Sequence, residues 1–299
     1  MGMENLIKEG GEKKRFEFWN GKRDARVFKL IAATVVVFAS AIIIKDEILW
    51  QFSDDDFFED EYLEQTDEGE RGCNVLGIEL RGELATYILP NNPDAEYDGC
   101  ASEDILYSIE TAEEDASIKA IILEIDSYGG NPVAAEEVAV ALKNAKKPTV
   151  ALIRGAGVSA AYFAATGADI IFASKNSDVG GIGVTMSYLD YSRQDQEDGL
   201  TYNQLSSGEF KDAGDPDKPL TAKERDLLMR DVNIMHQNFV EAVAQNRDLD
   251  IEKVKILADG ATMLGQMAQE NGLIDQIGGW PEMQKYLEEK IGQDLEICW

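Results

Sequence analysis

The sequence predicts an α/β fold built on a parallel sheet, and two observations carry that prediction. From about residue 73 onward, short β-branched runs alternate with stretches of helical periodicity. Glycine-rich or proline-marked breaks stand between them. Short strands that alternate with helices pair in parallel, through right-handed crossovers.

Residues 75–80 read as the first strand, and residues 101–116 have helical spacing. Residues 120–125 are a second strand, ended by the turn Asp126-Ser127-Tyr128-Gly129-Gly130. Pro132 then opens a helix that runs to Ala145, because a proline suits the first helical turn. Residues 148–153 form a third strand, the helix of Ser159 follows, and residues 170–173 form a fourth strand. Thr221-Ala222-Lys223-Glu224 is a capping-box pattern. It starts a long amphipathic helix with apolar residues at Leu227, Leu228, Val232, Met235, Phe239, Val240 and Val243. His236 lies on this helix and reads as a surface or packing histidine.

Four segments are expected: a basic tail over 1–29, a transmembrane anchor over 30–45, an acidic linker over 46–71 and a folded domain over 72–299. Residues 30–44 carry no charge. The run reaches the length of a membrane span only if it is counted from Val27, with Lys29 snorkelling. Lys22, Arg23, Arg26 and Lys29 precede it, which puts the N-terminus in the cytoplasm and the body outside, as a single-pass protein of the cell (inner) membrane. Ala39-Ser40-Ala41 has the form of a signal-peptide cleavage site, but Ile42-Ile43-Ile44 extends the apolar run beyond it and favours an anchor. The linker holds 12 Asp/Glu and reads as a solvated stalk.

The formal net charge is −29. Residues 1–29 contribute eight Lys/Arg and five Asp/Glu, so the rest of the chain is more acidic still. Such a body repels phosphate backbones, which excludes a nucleic-acid partner. The three cysteines, Cys73, Cys100 and Cys298, contain no CxxC pair, and a single histidine cannot complete a zinc finger. A Cys73–Cys100 disulfide and three free thiols both remain open. Neither a metal nor an organic cofactor is implied.

Three features carry chemistry. Gly129-Gly130 after a buried strand makes either a plain turn or a place where backbone N–H groups meet a developing negative charge. Ser159, in the apolar run Gly155-Ala156-Gly157-Val158-Ser159-Ala160-Ala161-Tyr162-Phe163, either caps a helix or stands as a nucleophile at its mouth. Lys211 lies in the glycine-bounded loop Ser206-Ser207-Gly208-Glu209-Phe210-Lys211-Asp212-Ala213-Gly214. With His236 the only candidate histidine, the balance tips towards a Ser-Lys dyad. Lysine is a base only when uncharged, so Glu209 and Asp212 must point away from Lys211.

In order along the chain, Asp126–Gly130, 155–162, Val179-Gly180-Gly181-Ile182-Gly183-Val184, 207–216 and the closing segment 258–279 resemble the short, single-repeat form of the signal peptide peptidase SppA family. The resemblance covers roughly residues 72–285. It implies the repeated ββα units of the Clp protease/crotonase superfamily. It also implies that Ser159 is the nucleophile, Lys211 the general base and the Gly129/Gly130 turn an oxyanion-hole donor. Such enzymes hydrolyse membrane-derived signal-peptide fragments and assemble as homo-oligomers with shared active sites. Three positions depart from the family pattern. Tyr128 stands for the usual proline, Ala160-Ala161 for Gly-Gly, and Gly181 for a serine that can hydrogen-bond the lysine. Tyr128 and Tyr162 are expected to line grooves for hydrophobic peptides.

The expected function is therefore a membrane-anchored serine endopeptidase with hydrophobic peptides and membrane lipid as partners. The alternative is a catalytically weak or inactive peptide-binding scaffold of the same family. An acyl-CoA enzyme is disfavoured, because no basic cluster stands ready for the CoA phosphates.

Overall fold

The computed structural model describes residues 72–88 and 99–299. The basic tail, anchor and acidic linker lie outside the described residues. Among the described residues, no helix is long and apolar enough to cross a membrane.

The sheet grows outward from two long strands, β1 (Val75–Ala85) and β3 (Ala120–Gly130), paired in parallel from Val75↔Ala120 to Leu80↔Ile125 and again at Leu84↔Gly130. The short β2 (Gly99–Ala101) flanks the far end of β1, and β4 (Thr149–Val158) flanks β3. The first half of β4 pairs with β5 (Ile170–Ala173), while its last three residues pair with β6 (Asp178–Gly180). The other edge of β6 takes β7 (Thr262–Leu264) antiparallel. The sheet is therefore mixed, not wholly parallel as the sequence suggests. β8 (Gln276–Ile277) adds to β5 and β9 (Ile297–Cys298) to β1.

Strand alternation divides the core between the two faces of the sheet. Ile121, Leu123 and Ile125 point to one face, under α1 (Ser102–Glu114), α2 (Pro132–Asn144), α3 (Ala160–Ala165) and α5 (Ala222–Asn246). Ala120, Ile122, Val150, Leu152 and Phe172 point to the other, covered by α8 (Trp280–Ile291) through Met283 and Leu287. Each such Leu, Ile or Phe contributes about 2–3 kcal/mol relative to exposure. The short α4 (Ser192–Glu197), α6 (Ile251–Leu257) and α7 (Gly265–Asn271) complete the elements.

Local chemistry fixes the ends of these elements. Asn131 accepts from the N–H groups of Val133 and Ala134, so α2 is capped one residue before Pro132. Thr221 and Glu224 make both bonds of the capping box that opens α5. Glu124 is buried in the sheet between Arg81 at 3.0 Å and Arg154 at 3.1 Å, so its charge is paired on both oxygens.

The structure corrects two sequence expectations. Residues 126–130 continue β3, and residues 154–158 continue β4, where the glycines suggest breaks. Side chains replace ladder bonds where the register shifts: Asp126 Oδ1 accepts the Ala156 N–H at 3.0 Å, and the Ser127 hydroxyl donates to Gly82 O at 2.6 Å. The disulfide joins Cys73 to Cys298, not to Cys100. β9 returns beside the start of β1 at Leu76↔Cys298, whereas Cys100 sits opposite Leu84 at the other end of that strand and is free. Burial raises the Cys100 thiol to about 11, so it stays protonated.

Candidate active site

β4 ends at Val158, and α3 begins at Ala160. Ser159 makes the whole turn between them, with φ 55° and ψ −124°. Among the described residues, only Ser159 and Asp248 are non-glycine residues with positive φ. A strained residue on a sharp strand-to-helix turn projects its side chain away from both elements. The backbone is held on either side: Ser159 N–H donates to Gly180 O at 2.8 Å, and Ser159 O accepts from Phe163 N–H at 2.9 Å. The side chain makes no capping bond. The capping reading of Ser159 is thereby set aside.

The hydroxyl borders two cavities. One, of about 510 Å³, is lined by Tyr128, Gly181, Thr185, His236 and Asp259 among others. The other, of about 370 Å³, is walled by Pro132, Val133, Phe163, Met235 and Phe239. Phe163 and Phe239 stack there at 5.1 Å between centroids, giving a flat apolar wall. A cavity with such walls suits an apolar group.

The glycine pair lies directly against Ser159. A Cβ on Gly129 would fall 2.9 Å from the Ser159 Cβ, and its φ is +119°. Gly129 N–H donates to the Ser127 hydroxyl at 3.1 Å. Gly130 differs. In the Leu84↔Gly130 register, Leu84 O accepts from Asn131 N–H at 2.7 Å. The Gly130 N–H therefore faces away from β1, on the side that β4 leaves open after Gly157. Gly130 has φ +150°, and a Cβ there would lie 2.1 Å from Leu84 O. Gly130→Ala is expected to cost about 3 kcal/mol by combining overpacking with backbone strain. A urea-unfolding midpoint checks this, and a loss below about 1 kcal/mol contradicts the geometry.

The other sequence candidates divide. Tyr128 is 75% exposed and lines the larger cavity. Tyr162 does not line a groove. It is fully buried, and its hydroxyl donates to Leu273 O at 2.8 Å, so it ties α3 to the segment before β8. The periodicity of an apolar helix start does not tell its core face from its open face. Lys211 is exposed on the 209–214 turns and lines neither cavity of Ser159. The single chain thus brings Tyr128, Gly129, Gly130 and Ser159 together, and leaves Lys211 apart.

Sequence reasoning misses one wall. Met235, Asn238 and Phe239 of α5 line the apolar cavity, and His236 lines the larger one. Their amphipathic spacing signals a helix packed on the core; three of its seven apolar residues, Val232, Met235 and Phe239, instead border the cavities. The Nε2 of His236 lies 3.0 Å from Ala258 O. A carbonyl only accepts, so Nε2 carries a proton. Gly181, at φ +60°, has no room for a side chain, since a Cβ would meet Val158 Cγ1 at 2.6 Å. A serine does not fit there in this backbone.

Residues 141–294 match the model of peptidase family S49. A candidate protease of Methanocaldococcus jannaschii is 34% identical over 60% of this chain and 59% of its own. A candidate signal peptide peptidase SppA of Enterococcus faecium is 34% identical over 59% of this chain and 52% of its own. Protease 4 of Haemophilus influenzae is 27% identical over 78% of this chain and 38% of its own. The chain therefore spans little more than half the length of the first two relatives. A solved ClpP1 mutant from Listeria monocytogenes shows a remoter likeness, with 13% identity and a TM-score of 0.43 over 69% of this chain and 92% of that one. With more than half of its residues inside the family model and a strained serine between an apolar cavity and a glycine-lined strand end, the chain belongs to peptidase family S49.

Proposed function

We propose that this protein is a membrane-anchored serine endopeptidase that uses Ser159 and Lys211 to hydrolyse hydrophobic peptides, including remnant signal peptides. One observation carries the reading: Ser159 is held at positive φ, uncapped, beside an apolar cavity. The Clp protease/crotonase plan of ββα units belongs to the same reading, as does the anchor over 30–45.

In the reaction, the neutral Lys211 amine takes the proton of the Ser159 hydroxyl, and the oxygen attacks the peptide carbonyl. The Gly130 N–H donates to the oxyanion as it forms. Lys211 returns its proton to the leaving amine, then deprotonates the water that opens the acyl-enzyme and passes that proton to the Ser159 oxygen as it leaves. The lysine comes from a neighbouring copy. Supporting this, residues 186–210 expose Met186, Tyr188, Leu189, Leu200, Leu205 and Phe210, more apolar surface than a segment facing only water carries.

A second reading makes His236 the base, because it shares a cavity with Ser159. The bond to Ala258 O spends Nε2 as a donor, so in this reading only Nδ1 is left to take the serine proton. A fluorophosphonate probe applied to the full chain in detergent tests the function. Labelling confined to Ser159, lost in Lys211→Ala and kept in His236→Gln, is the expected pattern. An unlabelled folded protein favours a peptide-binding scaffold, and loss of labelling in His236→Gln favours the second reading.

A further inference from the structure

The dyad demands an uncharged amine at Lys211, and the role assigned to a second lysine, Lys218, rests on that dyad. Two carboxylates flank Lys211 in sequence, Glu209 and Asp212. Left unengaged, either would stabilise the ammonium form and disarm the base. Both are engaged by other groups. Glu209 Oε1 accepts from Lys223 Nζ at 2.7 Å. Asp212 is held by three residues: its Oδ1 accepts from Gln204 Nε2 at 2.6 Å and pairs with Lys218 Nζ at 3.4 Å, and its Oδ2 accepts from the Tyr202 hydroxyl at 2.9 Å.

Asp217 is exposed and its carboxylate has no partner among the described residues, but seven charged or titratable groups around this loop have such partners. They are Glu209, Asp212 and Asp215 on the loop, Tyr202 before it, Lys218 after it, and Lys223 and Glu224 at the start of α5. Among the described residues, Lys211 has no ion pair. The two clamps are not equal. The Lys223–Glu209 pair is open to water and therefore weak. Lys218 and Asp212 have side chains only 13% and 14% exposed, and Lys218 is also bonded to the buried Glu224. Glu224 in turn accepts from the Thr221 N–H at 2.8 Å, closing the capping box.

We propose that Lys218 is a positioning residue for the general base: it fastens Asp212 to the N-terminus of α5 and so withholds from Lys211 the carboxylate adjacent to it in the chain. The clamp remains charged under working conditions. Its hydrogen bond to Glu224 holds the Lys218 ammonium above the usual lysine range, and the same bond, with those from Thr221, draws the Glu224 carboxyl down to about 2. The bond to Asp212 pushes the Tyr202 hydroxyl up to about 12, so it stays a donor.

The pH dependence of kcat/KM on a hydrophobic peptide tests this, using the full chain in detergent. In Lys218→Met, Asp212 turns to the adjacent cation, the Lys211 ammonium is favoured, and the acid limb moves to higher pH by about one unit. Activity on that limb falls about tenfold, while the alkaline plateau is kept. Asp212→Asn in the same background returns the limb to its wild-type position, and Lys218→Arg never moves it. If Lys218→Met does not fold, Lys218→Gln with Glu224→Gln removes the cation and its buried partner together, and the same shift is expected. An acid limb that stays in place, or one that Asp212→Asn does not restore, overturns the proposal. Turnover by Lys211→Ala would instead sink the dyad itself. A silent Lys211→Ala beside an unmoved limb sinks only the role of Lys218.

Discussion

Ser159→Ala is expected to lower kcat for peptide hydrolysis by about 10⁴-fold or more, with assembly unchanged. The side chain makes no capping bond, so its oxygen can be removed with little effect on folding. Stability should stay within about 0.5 kcal/mol of wild type. The loss therefore reports chemistry, not misfolding. Steady-state kinetics beside thermal unfolding check both halves. Turnover within tenfold of wild type would remove Ser159 from the mechanism.

Lys211→Ala is expected to silence the enzyme to a similar degree, about 10⁴-fold, because the dyad has no second base. Arginine should not rescue it, since a guanidinium does not deprotonate in the working range. Lys211 is exposed in the isolated chain, so both variants should unfold like wild type. A Lys211→Arg enzyme with near-normal turnover would mean that position 211 supplies only positive charge.

Much of this architecture is legible in the residues. The β-branched run at 170–173 is β5 with the same ends, and the Thr221/Glu224 pattern opens α5. Both signals are local, and local chemistry decides them. Sequence and structure part where distant partners decide. Gly129-Gly130 and Gly155–Gly157 look like breaks, yet β1 pairs with the first and β6 takes up the end of the second. Cys73 meets Cys298 across 225 residues because β9 returns to β1, which no spacing announces.

The site divides in the same way. The run around Ser159 marks it as a candidate, but its positive φ and the bond of its N–H to Gly180 O appear only in the fold. Tyr162 reads as a groove residue in sequence, because the core face of α3 is set by the distant segment before β8. That Glu209 and Asp212 must turn from Lys211 follows from charge alone. That Lys223, Lys218, Tyr202 and Gln204 hold them emerges only in three dimensions.

The pairing of an amine and an alcohol across two copies is tested most directly by mixing inactive chains. Ser159→Ala and Lys211→Ala proteins, co-assembled in equal amounts, each supply the group that the other lacks. Random assembly should restore roughly a quarter of wild-type activity per subunit. Mixed assemblies that form but stay inactive at every ratio would contradict it.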